Sequence, residues 1–144
     1  QMLGVYDLSM MRLYSYIYQE GKKHFCIVHT LDGYDEISLT DQFKVVSTKG
    51  EQLFMPEDLG FKRVQQHELD GGNTVEVAAG IFRDVLHGGG TQAQRDVVVI
   101  NAAFAIQTVE QDKPIEECIE IARESLYRKK ALKTLEKFVE VNKG

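Results

Sequence analysis

The run His24-Phe25-Cys26-Ile27-Val28-His29 constrains this chain more than any other stretch. It is short, rich in strand-forming residues and nearly continuous in apolar side chains rather than alternating. A strand of that kind must be covered on both faces, as in a parallel sheet flanked by helices. It also needs neighbours on both edges, because a lone parallel strand has nowhere to place its backbone hydrogen bonds. No second run of this kind occurs. The sequence therefore reads as a section of a larger α/β domain whose other strands lie elsewhere. Gln1 standing where an initiator Met would be, at the run-in to a helix, leads to the same expectation of an excised piece.

Around this strand the pattern is regular. Asp7 is placed to cap a helix over about 8–20, with Leu8, Met11, Tyr14, Ile17 and Tyr18 on one face and Gly21 as its stop. Phe43–Ser47 and Glu51–Met55 flank Thr48-Lys49-Gly50 and read as a β-hairpin. Pro56 to Gly60 reads as one helical turn closed by glycine. From Asn73 onward the spacing predicts helices only. The first starts at an Asn73/Glu76 capping box and carries Val77, Ala78, Ile81, Phe82, Val85 and Leu86 inward. The second, over about 92–111, is apolar nearly all round and belongs in the middle of the helical layer. Pro114 opens the third, with Ile115, Cys118, Ile119, Ala122 and Leu126 inward. The fourth runs from about Lys129 with Leu132, Leu135, Phe138 and Val139. The expected order is helix, strand, hairpin, four helices, and the fold class is α/β with a mixed sheet.

Bulk properties exclude several classes of function. The 144 residues fit one domain, and 43% hydrophobic with 27% charged residues is ordinary for a globular chain. A net charge of −5 without a basic stripe argues against a nucleic-acid or anionic-membrane partner. No apolar run reaches the roughly 20 residues of a membrane span, and the first residues do not resemble a signal peptide. Cys26 and Cys118 each sit in an apolar pattern and read as buried free thiols of a reducing, cytoplasmic setting.

The chemistry concentrates in Asp32-Gly33-Tyr34-Asp35-Glu36-Ile37-Ser38-Leu39-Thr40, just past the C-terminal end of the strand, where open α/β sheets place ligands. The adjacent carboxylates of Asp35 and Glu36 are hard oxygen donors suited to Mg²⁺, which takes one or two carboxylates together with substrate phosphates and water. From these residues alone, a solvated turn with Asp32 and Asp35 capping backbone amides is the favoured account of the segment.

The stretch Val28-His29-Thr30-Leu31-Asp32-Gly33-Tyr34-Asp35-Glu36-Ile37-Ser38 closely resembles the acidic strand-loop of the anthranilate phosphoribosyltransferases. Met2-Leu3-Gly4-Val5-Tyr6, Asp70-Gly71-Gly72, Val85-Leu86-His87-Gly88 and Arg95-Asp96 with Asn101-Ala102-Ala103 resemble further segments of that family, in its order. The resemblance implies transfer of a phosphoribosyl group from phosphoribosyl pyrophosphate (PRPP) to anthranilate in tryptophan biosynthesis, with pyrophosphate released and Mg²⁺ held by Asp35 and Glu36. It implies that residues 1–144 form the C-terminal part of the α/β catalytic domain. The small helical domain, the PRPP loop and the substrate-binding residues would then lie upstream of Gln1, so no catalytic residue is assigned here and the chain alone is expected to be inactive. A homodimer is implied for the full enzyme. Thr30 departs from the family pattern, which has glycine there, and Asp41-Gln42-Phe43 replaces a gly-pro-thr stretch. Both departures could reshape the loop.

Two alternatives share the fold: a nucleoside phosphorylase-like enzyme, and a non-catalytic relative that binds nucleic acid. The other candidate residues have plain structural readings. His87-Gly88-Gly89-Gly90-Thr91 lacks a P-loop ending and reads as a helix stop and turn. His29 reads as a satisfied strand-end histidine, and Asn101 as a core amide bonded to a loop backbone, the acidic loop being one candidate. His24 and His67 have no metal-ligand spacing. Lys129, Lys130, Lys133 and Lys137 read as a solvated face balanced by Glu136 and Glu140.

Overall fold

The computed structural model describes residues 1–21 and 23–143. Strand β1 (Met2–Gly4) is followed by helix α1 (Leu8–Glu20), strand β2 (Cys26–Thr30), and the hairpin of β3 (Phe43–Ser47) and β4 (Gly50–Phe54). Two 3-10 turns, Pro56–Leu59 and Gln66–Leu69, lead into helices α2 (Val75–Leu86), α3 (Gln92–Val109), α4 (Ile115–Tyr127) and α5 (Lys130–Val141). The strands form one mixed sheet in the order β1-β2-β3-β4, with β1 parallel to β2 and the other pairs antiparallel.

Two expectations are corrected here. Met2–Gly4 is a strand and not the lead-in to a helix, and it pairs Met2 with Cys26 and Gly4 with Val28. β2 consequently has a neighbour on each edge, β1 and β3, so the argument from missing neighbours does not stand. The central strand also sits later than expected, from Cys26 to Thr30. All five of its residues are buried, as a strand covered on both faces requires.

Alternation sorts the sheet residues between two cores. Cys26, Val28, Phe43 and Val45 face a large cluster with Val99, Ile100, Ala103 and Phe104 of α3. Ile27 and Val46 face the opposite side, where they meet Met11 of α1 together with Val5 and Phe25. The layers are therefore α1, sheet, α3 and α4. Each fully buried aliphatic side chain in these cores contributes roughly 1.5–3 kcal/mol. Phe43, Phe54 and Phe104 join hairpin to α3 with ring centroids 5.4, 5.9 and 5.7 Å apart.

Local signals explain the helix ends. Asp7 Oδ1 accepts the Met10 N–H at 2.8 Å, and α1 stops at Gly21. Its inward face is Met10, Met11, Tyr14 and Tyr18, while Leu8 and Ile17 point outward, contrary to expectation. The cap of α2 is Thr74, whose hydroxyl accepts from Val77 N–H, and not Asn73. The apolar stripe of α2 is only partly covered: Val85 is buried, Val77 remains 49% exposed, and Phe82, 54% exposed, lines an open cleft. α3 is central as expected, although Val98 stays exposed. Pro114 stands at the N-cap of α4, whose Cys118, Ile119, Ala122 and Leu126 are buried. Lys129, at φ 59°, breaks the chain between α4 and α5. No residue of α5 is buried, so its apolar face is less covered than its periodicity predicts. Lys129, Lys130, Lys133 and Lys137 are all exposed, and Lys130 pairs with Glu124 at 2.8 Å.

Candidate functional site

The acidic loop spans Leu31 to Gln42, between the end of β2 and the start of β3. Its base is closed by Thr30 N–H to Tyr34 O at 3.0 Å and Leu31 N–H to Gln42 O at 2.9 Å. Leu39 adopts a left-handed φ of 63°, a conformation costing a branched residue roughly 1–2 kcal/mol. The bend is held because Ile37 and Leu39 are both fully buried and Leu39 O accepts the Val64 N–H at 3.0 Å.

Three contacts fix the backbone around Asp35 and Glu36. Gly4 of β1 lies directly beneath Asp35: a Cβ at Gly4 would overlap the Asp35 carbonyl oxygen. The Thr30 hydroxyl donates to Glu36 O at 2.7 Å and accepts from Ser38 N–H at 3.2 Å. Asn101, reaching from α3, accepts the Ile37 N–H at 3.1 Å and donates to Ile37 O at 2.8 Å, with a further bond to Val97 O at 2.9 Å. This places Asn101 against the acidic loop, the option its position on an apolar helix left open. Beside this frame a chain of hydroxyls runs from Ser38 to Thr40 and on to Asp32 Oδ2, each link 2.6 Å. Asp32 thus bonds a threonine hydroxyl rather than capping a backbone amide.

The carboxyl groups of Asp35 and Glu36 are exposed and have no salt bridge among the described residues. Their side chains interact with each other. Contact with Asp35, then burial, then the Asp35 charge push Glu36 up to about 7, while the same contact holds Asp35 below the usual carboxylate range. Among the described residues no group of three or more His, Cys, Asp or Glu is arranged to hold a metal. Two adjacent hard donors with free coordination directions do fit Mg²⁺, which leaves its remaining positions to phosphate oxygens and water.

Next to the loop, a cleft of about 300 Å³ runs between Tyr34, Glu36 and Ser38 on one side and Leu69, Phe82 and Val98 on the other. Its loop wall is polar and its helical wall apolar.

The remaining candidates have structural employment. His29 is buried with Nδ1 2.8 Å from Val5 O, joining the ends of β1 and β2. The glycine turn is closed by Gly89 N–H to Asp84 O and by the Arg95 guanidinium on Gly89 O and Gly90 O at 3.1 and 2.7 Å. Thr91 and Gln94 cap the helix that follows, so a helix stop and turn is what forms. Both cysteines are buried and free, and burial pushes the Cys26 thiol up to about 11. Sequence reasoning missed Gly4 and the bracing role of Thr30. The signal available for Gly4 was a glycine inside an otherwise apolar segment, which marks close backbone approach.

Fold and loop together define an α/β domain with an exposed acidic loop at the C-terminal end of its central strand. Residues 1–132 match the family model described as "Glycosyl transferase family, a/b domain", and the chain belongs to that family. It is 58% identical over 142 residues to an anthranilate phosphoribosyltransferase of Bacteroides fragilis, covering 99% of this chain and 43% of that relative. The corresponding enzyme of Flavobacterium johnsoniae is 44% identical over 142 residues, with the same coverage. The chain thus spans well under half the length of the curated relatives it matches. Among solved structures, the anthranilate phosphoribosyltransferase of Thermus thermophilus superposes with a TM-score of 0.85 at 28% identity, covering 95% of this chain and 41% of that one. The Saccharomyces cerevisiae enzyme in complex with PRPP and Mg gives a TM-score of 0.83 at 23% identity, covering 96% of this chain and 40% of that one, a likeness of fold alone.

Proposed function

We propose that this chain supplies the metal-holding part of an anthranilate phosphoribosyltransferase, with Asp35 and Glu36 as the Mg²⁺ ligands. The observation that carries the reading is the pair of adjacent, exposed carboxylates, without a cationic partner among the described residues, fixed on a braced backbone at the C-terminal end of β2. The relatives named anthranilate phosphoribosyltransferase support the choice of reaction.

In this reaction the bond between the ribose anomeric carbon and pyrophosphate breaks, with its electron pair leaving on pyrophosphate. A bond to the anthranilate nitrogen forms, and that nitrogen loses a proton. Bound Mg²⁺ supplies charge neutralisation on the departing pyrophosphate. The chain's own contribution is preorganisation: two carboxylates held in place need not reorganise as charge develops. Asp35 and Glu36 would hold the ion, and its positive charge would offset the repulsion between their adjacent carboxylates.

Residues 1–144 then correspond to the C-terminal part of the α/β catalytic domain. The small helical domain, the PRPP loop and the substrate-binding residues belong to sequence outside these residues, the working enzyme is a cytoplasmic homodimer, and the isolated chain does not turn over. The test is loss of anthranilate fluorescence with PRPP and Mg²⁺, measured for this chain and for the longer protein carrying it. Turnover by the longer protein alone is the expected result. No turnover by either would overturn the assignment.

A further inference from the structure

We infer that Thr30 and Asn101 are positioning residues for Glu36, a role that rests on the reading of Asp35 and Glu36 as metal ligands. The two peptide units that follow Glu36 expose four polar groups in total: Glu36 C=O, Ile37 N–H, Ile37 C=O and Ser38 N–H. Thr30 Oγ1 takes the first and last, at 2.7 and 3.2 Å. The Asn101 amide takes the middle two, at 3.1 and 2.8 Å. Two side chains, one from β2 and one from α3, thus hold both peptides of an otherwise irregular loop.

Burial makes this bracing effective. Thr30 is fully buried and Ile37 and Ser38 are buried, which limits competition from water for the Ile37 and Ser38 groups. Rotating either peptide would orphan two of them at once, and each buried polar group left unpaired costs roughly 1–3 kcal/mol. The direction in which the Glu36 side chain leaves the backbone is set by the first of these peptides. Groups that orient a metal ligand are worth roughly 10–100-fold in metal affinity or activity in other metal sites.

The position of Thr30 permits a clean test, because valine has the same shape without the hydroxyl and serine keeps the hydroxyl without the methyl. Amide hydrogen exchange in this chain reads the bracing directly. Thr30→Val is expected to cost Ser38 N–H roughly tenfold of its protection while Ile27 and Val28 of β2 keep theirs, and Thr30→Ser to retain it. In the longer protein, T30V is expected to raise the Mg²⁺ concentration for half-maximal rate by roughly tenfold, leaving KM for anthranilate unchanged, with T30S close to the parent. Asn101→Ala should act in the same direction. Loss of Ser38 protection with an unchanged Mg²⁺ requirement would overturn the positioning role while leaving the enzyme assignment intact. A KM for anthranilate rising as much as the Mg²⁺ requirement would also overturn it. A parent protein without turnover would overturn both.

Discussion

The side-chain amide of Asn101 pairs with both polar groups of Ile37, Oδ1 with the N–H at 3.1 Å and Nδ2 with the carbonyl at 2.8 Å, much as a neighbouring strand would. One residue of α3 thereby stands in for a sheet partner at a point where the loop has left the sheet. Replacing Asn101 by alanine orphans both groups of a fully buried residue. The expected cost is about 2 kcal/mol or more in denaturant unfolding. A loss below about 0.5 kcal/mol would show that water replaces the amide without penalty.

Gly4 and Gly80 make a contrasting pair. A Cβ at Gly4 meets the backbone of Asp35, which cannot move aside without displacing the loop, whereas a Cβ at Gly80 in α2 meets nothing within 4 Å. Gly4→Ala is expected to destabilise by about 1–3 kcal/mol and to shift the amide resonances of Asp35 and Glu36. Gly80→Ala should stabilise by about 0.5–1 kcal/mol, since it removes helix-opposing freedom at no steric cost. A Gly4→Ala variant as stable as the parent, with unshifted Asp35 and Glu36 amides, would refute the close-approach account.

The acidic pair gives the chain a pH dependence with a defined sign. Glu36 titrates at about 7 in the folded protein, against an ordinary value of 4.5. Between those values the folded state binds more protons than the unfolded state, so the Glu36 contribution to stability is present below 4.5 and is lost as pH rises through 7. Asp35, held low, works oppositely and at more acid pH, its contribution disappearing as pH falls through its folded value. Urea midpoints for the parent and Glu36→Gln across pH 4.5 to 7.5 are the measurement. The parent should lose stability relative to the variant over that window, and parallel profiles would contradict the raised Glu36.

Asp96 and Arg123 tie α3 to α4 at 3.6 Å, and the same guanidinium lies 4.9 Å from the ring centroid of Phe61. Asp96 is buried and its other partner is Gln92 Nε2 at 2.8 Å. Arg123→Ala leaves this carboxylate short of a cation and uncovers Phe61. A loss of about 2 kcal/mol is expected in thermal or urea unfolding, below the full buried-pair value because the arginine is partly exposed.

What could be read from sequence followed the range of the interactions. The hairpin, the cap at Asp7 and the glycine stop at Gly60 rest on neighbours a few residues apart and form close to where their sequence signals place them. β1 was missed because Met2-Leu3-Gly4 is too short to show a period, and its identity as a strand depends on Cys26–Val28 lying beside it. The α2 stripe was correctly apolar, but periodicity reports a face and not what covers it, and Phe82 lines a cleft instead of a core. At the site, the adjacency of Asp35 and Glu36 was plain. The brace supplied by Thr30 was not, because a departure from a family pattern shows where a loop differs and not which groups its new hydroxyl will reach.

The central claim is that Asp35 and Glu36 hold the Mg²⁺ of a phosphoribosyl transfer. Its most direct test is the Mg²⁺ dependence of anthranilate consumption with PRPP in the longer protein carrying this chain, for the parent and for a variant with Asp35→Ala and Glu36→Ala together. Circular dichroism and the unfolding midpoint would be recorded in parallel. The account predicts that Mg²⁺-dependent turnover disappears in the variant while the fold is retained. Turnover at the parental rate and parental Mg²⁺ requirement would contradict it.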